Sequence, residues 1–304
     1  MRNAFIDTVT GAFKKRDDLF IVSGDGGLGV FDDFKETHPD RFLNLGVAEQ
    51  NMASFSAGLS VAGFKVFMYN IIPFLLYRCY EQVRNDICYQ ELPVVLVGIG
   101  SGISYAPQGM THYSVEDLGI TQTLPNLTVL SPIDPVEARI AADYALCADK
   151  PVYVRLPKRG EPLIHTSTEF DITKPQVIEN GNDVAIIFHG SIADEVIDAG
   201  VKLKQDGIRP LLLSVPMIQP LNIEALLDMV DDMKLVVVVE EHFENCGLGN
   251  IIKTIYASAN PSWSLKTLGL PFSFIHEVKN TKGMREFSGI SASDIVRTVK
   301  EFLK

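Results

Sequence analysis

An acid standing between the end of a strand and the start of a helix is aimed into a cleft, and this chain carries one at Glu49. The stretch Arg41-Phe-Leu-Asn-Leu-Gly-Val-Ala-Glu-Gln-Asn-Met52 reads as a short apolar strand over 42–47 that delivers the carboxylate. A helix of small residues follows from Met52. Downstream lie three rings, Phe74-x-x-Tyr77-x-x-Tyr80. A spacing of three sets them on one helical face, where they stack on a flat ligand ring or pack in the core. His112 ends a glycine-rich loop over 98–112. Its type suits proton movement near neutral pH, and a loop histidine capping a helix is the plainer reading. Lys158 and Arg159, with Arg155 just before them, put basic groups at the C-terminal end of a strand. Such groups are ligands for an oxyanion or members of an exposed turn.

Gly24-x-Gly26-x-x-Gly29 follows a strand and has Glu49 downstream, which is the spacing of a dinucleotide fingerprint. Asp25, Asp32 and Asp33 would repel a pyrophosphate that needs a positive helix end. The helix after the loop is cut short by His38-Pro39. The stretch therefore reads as a turn after the first strand.

The elements that must position these residues alternate. Strands are expected at 19–22, 42–47, 65–69, 93–98, 127–131 and 152–156, with helices at 3–15, 52–61, 73–88, 114–124 and 135–147 between them. That order gives an α/β fold with a mainly parallel sheet. Pro157, Pro162 and Pro175 break the rhythm, and a smaller α/β unit begins at Val184. The expected division is a first domain over 1–165, a linker over 166–180 and a second domain over 181–304. Asp and Ser near the start of the last helix, 291–303, suit its N-terminus.

A chain of 304 residues with 46% hydrophobic content is long enough for two cores. A net charge of −11 argues against nucleic acid and against an anionic membrane surface. Cys79, Cys88, Cys147 and Cys246 show no metal spacing and read as reduced, mostly buried thiols of a cytoplasmic protein. No signal peptide and no apolar run of transmembrane length is evident.

Leu45-Gly-Val-Ala-Glu-Gln-Asn-Met52 resembles the pyrimidine-binding segment of transketolases and of 1-deoxyxylulose-5-phosphate synthases. The resemblance extends to the Phe74, Tyr77 and Tyr80 triplet and to Gly109-Met-Thr-His112. It also takes in Leu124-Pro-Asn-Leu-Thr-Val-Leu-Ser-Pro132 and Pro151-Val-Tyr-Val-Arg-Leu-Pro-Lys-Arg-Gly160. It runs through the whole chain and implies a pyrimidine-binding domain followed by a transketolase C-terminal-like domain. It implies thiamine diphosphate as cofactor, with Glu49 hydrogen-bonded to N1′ of the aminopyrimidine. A carboxylate sharing its proton there favours the imino tautomer that deprotonates the thiazolium carbon. Phe74 would stack on the pyrimidine, with Tyr77 and Tyr80 lining the pocket. His112 would face the reactive end and the donor's oxygens, and Lys158 or Arg159 would hold a substrate phosphate. The turn Glu240–Gly249 resembles the family's C-terminal domain and reads as structural.

In the family a further domain holds the diphosphate and Mg²⁺. Gly24-Asp25-Gly26 with Asn51 mimics that metal motif, but too little chain precedes it to be that domain. This chain therefore resembles the C-terminal subunit of a split transketolase, with no metal ligands of its own and an N-terminal partner subunit in an α2β2 heterotetramer. Two departures bear on substrate. Gln108 stands where the family has an acid that orients a sugar hydroxyl. Gly100 and Ser101 stand where relatives carry a His or an Arg. The expected activity is transfer of a two-carbon ketol unit from a ketose, or ketose phosphate, to an aldose acceptor, with altered donor specificity. The rival readings are a 2-oxo acid dehydrogenase E1 β or deoxyxylulose-phosphate-synthase-like subunit, and a non-catalytic regulatory subunit.

Overall fold

Runs of β-branched and aliphatic residues, buried from end to end, make the central strands of this chain. The structure is a computed structural model and describes residues 1–27, 29–158 and 160–304. In chain order the strands are β1 (Leu19–Ser23), β2 (Phe42–Asn44), β3 (Lys65–Ile71), β4 (Val94–Ile99), β5 (Thr128–Leu130) and β6 (Val152–Leu156). Then come β7 (Gln176–Glu179), β8 (Val184–Phe188), β9 (Pro210–Ser214), β10 (Met217–Gln219), β11 (Leu235–Phe243) and β12 (Ser264–Leu270). Among the described residues they form two sheets. Seven strands run in the order β10-β5-β6-β4-β3-β1-β2, and five in the order β12-β11-β8-β9-β7. The pairings are parallel except β10 with β5 and β7 with β9. Helices cover both faces of such sheets, which is why β4 and β11 are buried throughout, and why β4 and the Leu235–Val239 part of β11 read as apolar runs. The fold is the two-domain α/β arrangement expected from the alternation.

The boundary between the units differs from the composition-based division. The stretch read as linker, 166–180, contains β7, which joins the second sheet against β9. In turn β10 leaves the second domain and extends the first sheet, with Met217 opposite Leu130 and Gln219 opposite Val129. Strands this short carry no periodicity to read. One core cluster also runs across both units, from Val22, Met68 and Leu96 to Ile187, Leu213 and Val238.

Two helices near Glu49 depart from expectation in a way that matters for the site. The first spans Glu49–Val61, so the acid is the opening residue of the helix instead of lying ahead of it. Its buried side, Glu49, Met52, Ala53, Ser56, Ala57 and Ser60, follows the helical repeat. The segment 73–88, expected as one regular helix, has π-helical turns at Pro73–Tyr77 and Val83–Cys88 around a short α-helix at Tyr80–Gln82. The amide of Arg78 bonds back five residues to the Pro73 carbonyl at 3.1 Å. Cys79 then leaves helical geometry at φ −121°, ψ 28°. Each wide turn rotates the following side chains away from the faces a regular helix would give them.

Of the four free cysteines Cys79 and Cys88 are buried, Cys246 is half-buried and Cys147 is exposed, so burial holds for fewer thiols than expected. No helix among the described residues is long and apolar enough to cross a membrane.

Candidate active site

Glu49 is 3% exposed, with its carboxylate at the positive end of its helix. A carboxylate this deep needs a partner, and Arg78 provides one: Nη1 donates to Oε1 at 2.8 Å. The guanidinium of Arg78 lies over the Phe74 ring, 4.4 Å from its centroid. Phe74 meets His112 edge-on, with centroids 5.6 Å apart and planes at 74°. His112 in turn lies 5.9 Å from the Tyr105 ring, over which Lys158 holds its ammonium at 4.8 Å. The result is a continuous row: an acid, a flat cation on an aromatic face, an imidazole, a second ring and a second cation.

Loop geometry aims the imidazole. Gly109 takes φ 74°, ψ −168°, a conformation open in practice to glycine alone, and a single 3₁₀ turn from Met110 ends at His112. Nδ1 of His112 is 3.0 Å from the Thr111 hydroxyl, which fixes one nitrogen and leaves the other for a ligand. Tyr105 is seated by Gly100, where a Cβ would come within 2.3 Å of the tyrosine ring. Ser101 is fully buried. Positions 100 and 101 are thus sealed inside the wall.

The residues expected from sequence divide into groups. Glu49, Phe74, His112 and Lys158 come together. Tyr77 and Tyr80 face elsewhere, because of the π turn and the break at Cys79. Tyr77 donates its hydroxyl to Glu116 at 3.2 Å, and Tyr80 pairs with Thr123 at 2.7 Å. Both line an apolar cleft of about 540 Å³ shared with Ile120, Phe243, Cys246 and Phe272. Burial pushes the Glu116 carboxyl upward, and the Tyr77 hydroxyl works against that push. Gln108 is exposed at the end of a 3₁₀ turn that begins at Ala106. Arg159 lies outside the described residues.

Arg155 is not available to a substrate. It is 1% exposed and donates to Asp117 at 2.7 Å and to the carbonyls of Ser114 and Glu241 at 2.9 and 3.2 Å. The Gly24–Gly26 stretch is a turn against β3, with the Asn70 amide donating to the Gly24 carbonyl at 2.9 Å. Among the described residues no cluster of His, Cys, Asp or Glu is arranged to hold a metal. Glu240 accepts from the amides of Leu248 and Gly249, both at 2.8 Å, and so fastens the start of helix Leu248–Ala259.

Arg78 and Tyr105 were not reached by sequence reasoning. Arg78 stands four residues after Phe74, a spacing at which a cation can reach back to a ring, but it was hidden inside the aromatic triplet. Tyr105 lies in a loop, where no repeat reveals which way a side chain turns.

Residues 1–161 match the transketolase pyrimidine-binding domain, and residues 174–295 match the transketolase C-terminal domain. The chain is 35% identical to an apulose-4-phosphate transketolase subunit of Actinobacillus succinogenes, over 97% of this chain and 96% of that one. It is 30% identical to the 6-deoxy-6-sulfo-D-fructose transketolase subunit of a Clostridium species, over 99% of this chain and 94% of the relative. A solved split-gene transketolase, described as an inactive β4 tetramer, superposes with a TM-score of 0.89 at 27% identity, covering 99% of this chain and 97% of that one.

Proposed function

This chain belongs to the transketolase family, as the C-terminal subunit of a split enzyme, and on that premise we propose that it transfers a two-carbon ketol unit from a ketose donor to an aldose acceptor together with an N-terminal partner chain. Family membership implies dependence on thiamine diphosphate. The residues present fit that group: a buried carboxylate beside an aromatic face suits a flat ring that must exchange a proton. When bound, the cofactor supplies a nucleophilic carbon that attacks the donor carbonyl and an electron sink for the fragment. In this reading Glu49 shares the proton of the aminopyrimidine N1′ and Phe74 stacks on that ring. Tyr77 and Tyr80 take no part at the ring, since they line the separate cleft beside Glu116 and Thr123. His112 takes and returns protons at the donor's oxygens. The partner chain holds the diphosphate and Mg²⁺, and an α2β2 assembly joins the two halves. A cytoplasmic setting belongs to the same reading, supported by four free thiols.

The donor end is read as taking a sugar with an anionic tail. Lys158 presents its charge there, with Arg159 next to it in sequence and Gln108 as a polar contact for a sugar hydroxyl. The names of two relatives support this, since one specifies a sugar phosphate and the other a sulfonated sugar. The sealed positions 100 and 101 support a donor specificity that differs from that of relatives using those positions.

The observation that carries the reading is the buried Glu49 within one row of contacts with Phe74 and His112. Glu49→Ala, assayed with the partner chain present, is expected to lose turnover by about 10²-fold or more, the scale of a lost acid–base group. Near wild-type ketol transfer by that variant contradicts the assignment. Release of CO₂ from pyruvate by the same assembly would mark it instead as a decarboxylating relative.

A further inference from the structure

We infer that Arg78 is a stand-in for the cofactor's aminopyrimidine, holding its place on Glu49 and Phe74 until the ring displaces it. The inference rests on the cofactor reading above. Burying an unpaired carboxylate is costly, so Glu49 at 3% exposure must have a partner whether or not a ligand is bound. The partner the fold supplies is a planar cation. Arg78 donates Nη1 to Glu49 Oε1 at 2.8 Å and spreads the same guanidinium over Phe74 at 4.4 Å. Those are the two contacts that the reading assigns to the aminopyrimidine, a hydrogen bond shared with Glu49 and a stack on Phe74. One flat group cannot occupy that face while another does.

The placement also allows an exchange. Arg78 has 44% of its side chain in water, against 3% for Glu49. Its charge can therefore return to solvent by rotation of a long, flexible side chain, at much smaller cost than stranding Glu49. Its backbone closes the π turn that begins at Pro73, which brings a residue four places after Phe74 back over that ring. Glu49 is never left alone: it passes from the guanidinium to the ring. The cost of displacing Arg78 lowers the affinity of this half-site for the pyrimidine, because the competent state is only part of the population. Binding of the diphosphate by the partner chain then provides the drive.

The test is calorimetric titration of thiamine diphosphate into the assembly of this chain with its partner, and of 4-amino-5-aminomethyl-2-methylpyrimidine into the full chain alone. Arg78→Ala and Arg78→Gln are expected to bind both probes about 10-fold tighter than wild type, the removal of a competing internal partner. Arg78→Gln keeps a neutral donor near Glu49, so it guards against a fold lost through the unpaired carboxylate, and circular dichroism verifies both variants. Equal or weaker binding by a folded variant overturns the inference and makes Arg78 a bystander or a ligand. If the wild-type assembly binds no thiamine diphosphate at all, the cofactor reading falls and this inference with it. If wild type binds it and the variants do not differ, the inference alone falls.

Discussion

Lys158 places its charge on the face of Tyr105, and Tyr105 rests against Gly100. A cation held over a ring keeps its hydrogen-bond donors directed outward, where a phosphate or sulfonate can accept them. Removing such a group takes away binding made equally to donor and transition state, so the loss should appear in KM with kcat little changed. Lys158→Ala is expected to raise KM for a donor with an anionic tail by about 10-fold, the scale of one charge-assisted hydrogen bond. It should also weaken competition by inorganic phosphate in the same steady-state assay. An unchanged KM would detach Lys158 from the donor. Lys158 and Glu49 were legible in the sequence because each lies a few residues beyond the C-terminal end of a strand, where an open α/β sheet exposes its functional groups. Arg78 and Tyr105 were not, because the reach of each depends on a turn that no residue pattern announces.

At the scale of elements, the sequence reported periodicity well and its interruptions poorly. The parallel strands β1, β3, β4 and β6 were visible as apolar runs. The π turns over 73–88 were not, since a hydrophobic repeat tolerates one extra residue, and they split Phe74 from Tyr77 and Tyr80. β7 and β10 escaped for want of length. Arg155 shows the same limit in another form. From sequence it is a basic residue near a strand end, yet on β6 it points into the protein and meets Asp117, the first residue of helix Asp117–Thr121. The Tyr153 hydroxyl donates to the same carboxylate at 2.7 Å, so one acid ties β6 to that helix. Asp117→Ala would leave the guanidinium buried without its carboxylate partner, held only by the carbonyls of Ser114 and Glu241. It is expected to destabilise the chain by about 3–5 kcal/mol, the cost of breaking a buried pair from one side. Urea denaturation measures this, and a loss below about 1 kcal/mol, the worth of a surface pair, would mean that water reaches Arg155.

The whole molecule is held together along the seam between its two units, and that seam titrates. His165, on the connecting segment, has Nδ1 3.3 Å from Asp134 Oδ2 and Nε2 3.5 Å from Glu137 Oε1. Ser214 of the second sheet donates to Glu137 at 2.5 Å. Burial pushes Glu137 up to about 7, with His165 and Ser214 pulling against it. Burial alone would also raise Asp134, but the nearby His165 imidazole and hydrogen bonds from the amides of Glu137, His165 and Ile164 outweigh it and hold that acid at about 2. Burial would lower His165, and the carboxylates of Asp134 and Glu137 together outweigh that, leaving it raised. Between the ordinary value of 4.5 and about 7, the folded chain keeps a proton on Glu137 that the unfolded chain has released. Folding therefore takes up a proton, and stability falls as pH rises through that window. The raised His165 acts in the same direction, since its contribution is present below 6.5 and is lost as pH passes its folded value. Glu137→Gln cannot ionise, so its slope comes from His165, which is then raised by Asp134 alone. Wild type is expected to lose on the order of 3 kcal/mol relative to Glu137→Gln between pH 4.5 and 8, at 1.36 kcal/mol per pKa unit. Urea midpoints measured at both ends of that range test the assignment. Parallel pH slopes for the two proteins would show that Glu137 is ionised throughout and that the seam is held by its hydrogen bonds alone.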